Sequence, residues 1–390
     1  MAGIETDLET MGIHVAAEDS LILDMLLDGR SSRYVLGPLA CLDLGRYVPH
    51  PPPVYIMDSR VADLHPLWLE QVQEGCGHYR HEALIVQGGE EAKTMIRLAE
   101  IYDWLGSKGV TRDGTIVAVG GGAVLDLSGL AAATWRRGVN FVAIPTTLLA
   151  MVDASIGGKT ALNAAGLKNP VGAFHPATGI LADCGFLATL PRMAWRDGLA
   201  EMIKTAVIGD PRLFAQLHHS RSRLAALLVD GDSDRLIPGI LGALPWRQWI
   251  GQAASVKARI VHQDFREQGI RRALNLGHTL GHALEAWSHE TGKPLSHGQA
   301  VAIGMAVVFR IAAERGDCPL DSAVQVIELL ESCGLPVTHA SPGPDALERL
   351  LAGDKKQSAR EGLRWVLPER IGKMNIRGQV AVGEIAKWLD

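Results

Sequence analysis

The chain has 390 residues, of which 47% are hydrophobic and 21% charged, proportions typical of a soluble globular protein long enough for two domains. A net charge of −5 provides no basic field for nucleic acid, so any phosphate site must be a local cluster of cations. Five scattered cysteines without CxxC spacing argue against a disulfide framework and against a cysteine-based zinc site.

The N-terminus and the hydropathy pattern predict a cytoplasmic protein with no membrane partner. The first residues, MAGIETDLETMG, are acidic and lack the apolar segment of a signal peptide. No uninterrupted apolar run approaches transmembrane length.

The first half of the chain alternates predicted strands and helices. Residues 1–30 are interpreted as an extension with one short amphipathic helix. Strands are predicted over residues 33–36, 54–57, 83–87, 115–119 and 141–144. Helices are predicted over residues 67–74 and 92–107 and from about residue 124. This alternation predicts a parallel sheet covered on both faces, with ligands beyond the carboxyl ends of its strands.

From about residue 190 long helical patterns replace the strands. Helices are predicted over residues 194–207, 211–228, 249–262, 273–288, 298–315 and 322–333. The change of pattern predicts a domain boundary near Pro191.

The helical half contains three histidines that can converge on a metal. His278 and His282 are four residues apart in a predicted helix and share a face, and His297 opens the next helix. Glu201 is the candidate carboxylate for a divalent ion held by these histidines. A solvated helix face or a satisfied core pair is the alternative interpretation of the two helix histidines. The neighbouring Gly277 and Gly281 favour close approach of a ligand or of a packed partner.

Two glycine turns follow predicted strands in the first half. Gly120, Gly121 and Gly122 come directly after the strand TIVAV and precede a helix, which exposes backbone N–H groups to a diphosphate. The G-x-G-x-x-G spacing is absent, and an ordinary tight turn is the alternative. The second turn, at residues 88–93, makes a nucleotide more plausible because neighbouring strand ends lie close together.

The segment from residue 144 to residue 176 is dense in small polar and cationic groups. Small residues around Lys159 and Lys168 let backbone and side chains approach a bound anion. Each of the further cationic residues, taken alone, is interpreted as a surface charge; they are Arg137, Lys204, Lys257, Arg271, Lys355 and Lys356. Lys204 lies three residues after Glu201 and shares its helix face.

Taken together, the motifs resemble those of the sugar phosphate cyclases, and among these the 3-dehydroquinate synthases. The matching stretches span roughly residues 55–365 in the expected order. They are GGEEAK, GGGAVLD, RRGV, PTTLLAMVDASIGGKT, KNPVGAF, ADCGFLATLP, GLAEMIK, RRALNLGHTLGHALE, HGQAVAIGM and DKK. So many ordered motifs are far more specific than any one of them.

The resemblance implies a fold, two cofactors and a reaction. The fold is an α/β Rossmann-like NAD-binding domain over residues 1–190, of which 1–30 are the extension, followed by an all-α domain over residues 191–390 that binds metal and substrate. The cofactors are NAD and Zn²⁺ (or Co²⁺), and the assembly is a homodimer. The family converts 3-deoxy-D-arabino-heptulosonate 7-phosphate to 3-dehydroquinate and phosphate, using NAD that is regenerated in each turnover.

The resemblance also implies roles for particular residues. The metal ligands are Glu201, His278 and His297, whereas His282, which spacing alone would make a ligand, lies beside the substrate. The NAD-contacting residues are Asp58, Glu90, Lys93, Gly121, Gly122, Asp126, Thr146, Thr147, Asp153, Lys168, Phe186 and Thr189. The substrate-contacting residues are Arg137, Lys159, Asn169, Lys204, Lys257, Arg271, Asn275, His282 and Lys356.

The chain departs from the family pattern at four places. Arg60 stands where Asn is usual, Leu125 where Gly is common, and Gln299 where Glu is usual; GAFHP replaces GAFYQP. None of these changes removes an implied ligand or cation.

Two other enzymes are compatible with the pattern. An aminodehydroquinate synthase, or another cyclase of secondary metabolism, can keep every motif, although Asn275 and His282 speak against valiolone and deoxyinosose cyclases. An iron- or zinc-dependent polyol dehydrogenase shares the glycine turn and the histidine-rich helices. It gives no reason for so many lysines and arginines.

Overall fold

A computed structural model describes residues 13–15, 20–37, 40–49, 52–66, 68, 83–229, 235–355 and 364–389. The chain forms two compact units. The first comprises residues 1–190 and 238–266, and the second comprises residues 191–237 and 267–390. The predicted boundary near Pro191 coincides with the end of the first segment, but residues 238–266, predicted to lie in the second domain, belong to the first unit.

The described part of the first unit contains a mixed eight-stranded sheet and a separate hairpin. The strands are β1 Ile13–Val15, β2 Leu21–Leu27, β3 Arg30–Leu36, β4 Val54–Asp58, β5 Ala83–Val86, β6 Thr115–Gly120, β7 Asn140–Pro145, β8 Lys159–Ala164, β9 Leu167–Phe174 and β10 Gly179–Ala182. The sheet order is β1-β2-β3-β10-β7-β6-β4-β5. From β3 to the far edge, β3, β10, β7, β6, β4 and β5 pair in parallel. The pairs β1–β2 and β2–β3 at the other edge are antiparallel. The predicted parallel sheet is therefore present, extended at one edge.

Six helical segments of the first unit bear on the site. They are α1 Ser59–Leu64, α2 Met95–Ser107, α3 Gly122–Thr134, a π-helical turn at Ala150–Ala154, α7 Ile240–Ala243 and α8 Trp246–Gln263. The central strand β6 and the helix α3 are apolar almost throughout, as expected for elements buried on both faces. Gly129 of α3 permits contact with the hairpin β8–β9, since a Cβ there would lie 2.5 Å from Thr160 Cγ2.

The second unit is mainly helical, as predicted. Its helices are α4 Arg192–Gly209, α5 Pro211–His219, α6 Arg221–Leu228, α9 His278–Glu290, α10 His297–Glu314, α11 Leu320–Ser332, α12 Pro344–Lys355 and α13 Val382–Leu389. Helix α10 packs against α4, α9, α11 and α13 and is buried on nearly every side, which explains its uninterrupted apolar sequence. A hairpin of β11 Trp365–Arg370 and β12 Lys373–Gly378 completes the unit, so it is not all-α.

Several predicted elements are corrected. The segment 211–228 is two helices separated at Ser220, whose N–H ends the first by bonding to Gln216 O. The segment 273–288 begins as a 3-10 turn, and its α-helix starts only at His278, because Gly277 is left-handed with φ 76°. The predicted N-terminal helix is wrong where the structure describes it, since residues 13–15 and 21–27 are strands. The predicted helix 67–74 falls almost entirely outside the described residues.

None of the helices among the described residues is both long enough and apolar enough to cross a membrane.

Candidate active site

Three side chains of the second unit converge on one point. Glu201 comes from α4, His278 from the first turn of α9 and His297 from the first residue of α10, and one ligand atom of each lies within 4.8 Å of the others. Glu201 Oε1 is 3.2 Å from His297 Nε2 and 3.5 Å from His278 Nε2. The ring of His282 lies 5.3 Å from that of His278, beside the group. The convergence inferred from sequence is therefore present among residues nearly 100 positions apart.

The outer nitrogens of both histidines face oxygen atoms. His278 Nδ1 lies 3.1 Å from the carbonyl oxygen of Leu276, which can only accept, so Nδ1 carries the proton and Nε2 is left with its lone pair toward Glu201. His297 Nδ1 lies 3.5 Å from Glu285 Oε2. Outer oxygen partners of this kind orient the ring of a metal-binding histidine.

The two oxygens of Glu201 have different neighbours. Oε2 pairs with Lys204 Nζ at 2.5 Å, and both side chains are almost fully buried. Burial opposes ionisation of Glu201, but Lys204 and the histidine rings outweigh it and hold its pKa well below the usual range. Burial, reinforced by Lys204, lowers the pKa of His278 far enough to keep the imidazole neutral. An ionised carboxylate and a neutral imidazole are the forms that bind metal.

The local charge also suits a divalent cation. Asp197 and Glu285 lie close enough to His297 and to each other to interact electrostatically. With Glu201 they total three negative charges when ionised, against one positive charge on Lys204. These side chains leave a partly buried excess of two negative charges, which a divalent ion would neutralise.

The glycines around the histidines serve helix packing. A Cβ on Gly277 would lie 2.7 Å from the carbonyl oxygen of Val301, and one on Gly304 would lie 2.0 Å from that of Gly277. A Cβ on Gly281 would lie 3.1 Å from the carbonyl oxygen of Ala300. The sequence suggested that these glycines allow close approach of either a ligand or a packed partner. The structure shows the packed partner, since α9 contacts α10 at these positions.

In the first unit, the glycine turn lies at the carboxyl edge of the sheet. Helix α3 starts at Gly122, with its first backbone N–H groups at this edge, and Gly121 packs beside Thr147. Thr146 follows β7 and its N–H donates to Gly120 O. Asp58 ends β4, and Gly88 is so close that a Cβ there would lie 2.1 Å from Asp58 Oδ2. The predicted nucleotide residues at three strand ends are thus neighbours along one edge.

Lys93 is the centre of a polar network beside this turn. Its Nζ donates to Asp126 Oδ2 at 2.8 Å and to Asn169 Oδ1 at 2.5 Å, and lies 3.4 Å from Glu90 Oε1. Asn163 links the network, because its amide donates to Glu90 and its oxygen accepts from the N–H of Asn169. Four residues predicted to contact NAD or substrate are therefore together here. Lys168 adjoins Asn169 on β9.

The Asp126 carboxylate predicts a pH dependence of the ligand-free protein. Burial raises its pKa from 3.8 to about 6, although Lys93 opposes the shift. The folded state therefore binds the proton of Asp126 more tightly than the unfolded chain does. This difference stabilises the folded state fully below the unfolded pKa, and the stabilisation is lost as pH rises through about 6. Relative to Asp126→Asn, the wild-type free energy of unfolding should fall by about 1–3 kcal/mol between about pH 4.5 and 7.5. Urea unfolding at both pH values measures it; a constant or rising difference would contradict the shift.

Lys257 and Asp153 form a second buried pair in the first unit. Lys257, on α8, donates to the Asp153 carbonyl oxygen at 2.7 Å and to its carboxylate. Asp153 lies in the π-helical turn after Thr147. This pair is one of the contacts, together with packing against β2, by which α8 belongs to the first unit despite its position in the sequence.

Phe186 and Thr189 lie in a short 3-10 segment beside His65, the residue that follows α1. The Thr189 hydroxyl donates to Phe186 O and lies 2.8 Å from His65 Nε2, which is therefore the donor of that bond. The His65 ring meets the Phe186 ring edge-on at 5.0 Å. His65 is a neighbour of the predicted NAD residues that sequence analysis missed.

Arg137 lies at the opposite edge of the sheet from the glycine turn. It lies three residues before the start of β7, whose six residues span about 20 Å before Thr146. With Arg30 and Arg112 it lines a cavity of about 230 Å³. The structure therefore does not bring Arg137 together with Lys93 and the other groups around the turn.

The remaining predicted substrate residues divide between the units. Lys159 opens β8 in the first unit. In the second, Arg271 is buried at 3% exposure in the 3-10 turn before α9, and Asn275 donates to Glu267 Oε1 at 2.7 Å. Lys204 and His282 adjoin the Glu201 group. Lys356 lies outside the described residues.

Glu285 was also missed, although the sequence contained a signal for it. It is seven residues after His278 and three after His282, so helical spacing places all three on one face.

Two departures from the family pattern have local explanations. Gln299 completes a capping box with Ser296, a task that glutamine and glutamate perform alike. Arg60 donates its backbone N–H to Asp58, which caps α1 whatever the side chain at position 60. Leu125 is buried in α3.

Comparison with known proteins agrees with this geometry. Residues 83–197 match the family model for the 3-dehydroquinate synthase N-terminal domain, and residues 198–357 match that for the C-terminal domain. A 3-dehydroquinate synthase of Synechococcus sp. (strain CC9605) is 43% identical over 310 residues, 79% of each chain. One of Caulobacter vibrioides is 40% identical over 321 residues, 81% of this chain and 82% of the relative.

A solved structure has the same fold. It is a 2-epi-5-epi-valiolone synthase from Streptomyces hygroscopicus with NAD⁺ and Zn²⁺ bound, similar with a TM-score of 0.77 and 29% identity over 92% of this chain and 95% of that one. The resemblance inferred from the motifs and the predicted fold class are thereby confirmed. The chain belongs to the 3-dehydroquinate synthase family.

Proposed function

We propose that this protein is a 3-dehydroquinate synthase, which converts 3-deoxy-D-arabino-heptulosonate 7-phosphate to 3-dehydroquinate and phosphate. The observation that carries the proposal is the convergence of Glu201, His278 and His297 in a chain that matches both family models. The 40–43% identity to 3-dehydroquinate synthases over about four fifths of the chain supports the same reaction.

The three converging side chains would hold Zn²⁺ or Co²⁺. A carboxylate and two imidazoles form a three-ligand set that leaves room for substrate oxygens, and the surplus negative charge around them favours a divalent ion. When bound, such an ion polarises a substrate carbonyl or hydroxyl oxygen. Lys204 keeps Glu201 ionised, and the carbonyl oxygen of Leu276 keeps the Nε2 lone pair of His278 available.

The carboxyl edge of the first unit would hold NAD. Backbone N–H groups at the start of α3 favour the diphosphate, and Gly121 leaves it space. Asp58 at the neighbouring strand end is an acceptor for a ribose hydroxyl. When bound, NAD would supply transient oxidation of a ring hydroxyl, which would acidify the adjacent C–H bond and permit loss of phosphate. The NAD⁺ in the structurally similar valiolone synthase supports this assignment.

The substrate carries a phosphate and a carboxylate, and the predicted contacts supply matching cations. Arg271 offers a planar fork of donors for a carboxylate or phosphate, whereas Lys159 and Lys257 act as point charges. Asn169, Asn275 and His282 would orient the ring hydroxyls. We also propose that the protein acts as a cytoplasmic homodimer, which sedimentation and cell fractionation would test.

The deciding experiment follows phosphate release from the heptulosonate phosphate by protein supplied with NAD and Zn²⁺ or Co²⁺. We expect release with no net NADH, because the cofactor is reoxidised in each turnover. Stoichiometric NADH would instead indicate a polyol dehydrogenase. Turnover of an amino analogue alone would indicate an aminodehydroquinate synthase.

Two variants test the proposed anion contacts. Arg271→Lys and Lys159→Ala should each lower kcat/KM for phosphate release by about 100-fold or more, since Lys cannot reproduce the Arg fork and Ala removes the charge. Exposed Arg212→Lys and Lys108→Ala are the matched controls and should stay near wild type. Wild-type phosphate release by both test variants would refute the proposed contacts.

A further inference from the structure

Asp197 joins the beginning of α10 to α4. Its Oδ1 accepts a hydrogen bond from Ser296 Oγ at 2.5 Å and another from the backbone N–H of Gly298 at 3.1 Å. These two donors flank His297, so a single carboxylate oxygen holds the backbone on both sides of a proposed metal ligand.

Gly298 allows this close attachment. A Cβ at position 298 would lie 2.4 Å from Asp197 Cα, a separation that folded proteins do not tolerate. The start of α10 therefore lies directly against the backbone of α4, and a small change at Asp197 would be transmitted to His297.

Asp197 and Glu201 are four residues apart on α4 and share a face. Glu201 Oε1 lies 3.2 Å from His297 Nε2. One face of α4 thus carries the proposed ligand Glu201 and, through Asp197, holds the helix α10 that carries His297. This arrangement sets the distance between Glu201 and His297.

The hydroxyl of Ser296 connects Asp197 with the helix cap. The Ser296 hydroxyl donates its only proton to Asp197, so its oxygen accepts from the N–H of Gln299. In return, Gln299 Oε1 accepts from the N–H of Ser296 at 2.9 Å. A negative charge at the N-terminus of an 18-residue helix is also favourable to the helix dipole.

We propose that Asp197 is a positioning residue that sets His297 for metal binding by anchoring the N-terminus of α10. The inference rests on the proposed metal site, but it concerns a residue that is not itself one of the converging ligands. Its hydrogen bonds, more than its charge, place the imidazole, so an isosteric amide should preserve much of the effect.

The test measures Co²⁺ binding to metal-depleted full-length protein, by competition with a fluorescent chelator and by the visible spectrum of the bound ion. Asp197→Ala should weaken Co²⁺ binding about 10–100-fold and alter the spectrum. Asp197→Asn, which keeps an acceptor oxygen, should bind at least threefold more tightly than Asp197→Ala.

Asp210, which directly follows α4, provides a matched control. Its Oδ1 accepts from the N–H groups of Arg212 and Leu213 and so caps α5, away from the histidines. Asp210→Ala should lower the thermal unfolding midpoint, as a lost cap does, yet leave Co²⁺ affinity within about twofold of wild type.

Unchanged Co²⁺ affinity and spectrum in Asp197→Ala would overturn the inference. If that variant does not fold, Ser296→Ala, which removes one of the two donors, should weaken binding severalfold, and wild-type affinity there would overturn it equally. Failure of the wild type to bind one Co²⁺ per chain would instead refute the proposed metal site.

Discussion

Replacing His278 with alanine is expected to abolish measurable turnover and to weaken Zn²⁺ or Co²⁺ binding by more than about 100-fold, since loss of a ligand exceeds the effect of losing its outer partner. His278 Nε2 points toward Glu201 Oε1 at 3.5 Å, and its Nδ1 proton is committed to Leu276 O. Metal content after dialysis and the rate of phosphate release measure the two effects.

His218→Ala is the control for that experiment. His218 is a helix histidine of the same unit that also faces a carboxylate, Glu328, at 3.3 Å, but it lies outside the converging group. Its replacement should leave metal content and turnover unchanged. Full turnover of rigorously metal-free His278→Ala would refute the proposed centre.

Glu201 is a less direct probe of the metal. Its Oε2 neutralises Lys204, which is 1% exposed, so Glu201→Gln would remove the carboxylate charge of a buried ion pair. Breaking a buried pair in this way costs about 3–5 kcal/mol of stability. Loss of activity in that variant would therefore combine loss of a ligand with partial unfolding, whereas His278→Ala removes a neutral ring.

Gly121→Val is expected to abolish NAD binding, with Gly121→Ala weakening it about tenfold or more. A Cβ at this position extends toward the space proposed for the diphosphate, and its nearest protein neighbour would be Thr147 Cγ2 at 3.1 Å. Gly121 has φ −75°, so alanine costs no backbone strain and only a small shift of Thr147. Titration of intrinsic fluorescence with NAD measures the affinity.

Gly106→Ala is the matched control for the glycine turn. It lies in α2 of the same unit, and its Cβ would make an ordinary contact of 3.6 Å with Trp135. Alanine there should leave NAD affinity unchanged and stabilise the helix slightly. Wild-type NAD affinity in folded Gly121→Val would place the diphosphate elsewhere.

The sequence by itself determined much of the local structure. Hydrophobic runs such as TIVAV, bounded by glycines, predicted β6, and the helical periodicity predicted α4 and α10 to within about two residues. These signals are local, because strand and helix periods depend on neighbouring residues. The i,i+4 spacing likewise placed His278 and His282 on one face, and the ordered motifs identified the family.

Sequence spacing alone would make His282 a metal ligand in addition to His278 and His297. Which of them meet Glu201 depends on how α4, α9 and α10 approach, which glycines at positions 277, 298 and 304 permit through contacts between residues distant in the chain. Glu201, His278 and His297, the ligands that the resemblance implies, converge in the tertiary structure, and their binding of a metal stays a prediction.

Other features were decided by tertiary structure alone. From its sequence, helix α8 was predicted to be one more helix of the second domain. In the structure its Lys257 donates a hydrogen bond to Asp153, and the segment belongs to the first unit. Arg137 and the glycine turn are close in sequence but lie at opposite edges of the sheet, because helix α3, which lies between them in the sequence, carries the chain back along the sheet. Local patterns establish what each segment becomes; long-range packing decides which charges meet, since burial and pairing depend on contacts that no sequence window contains.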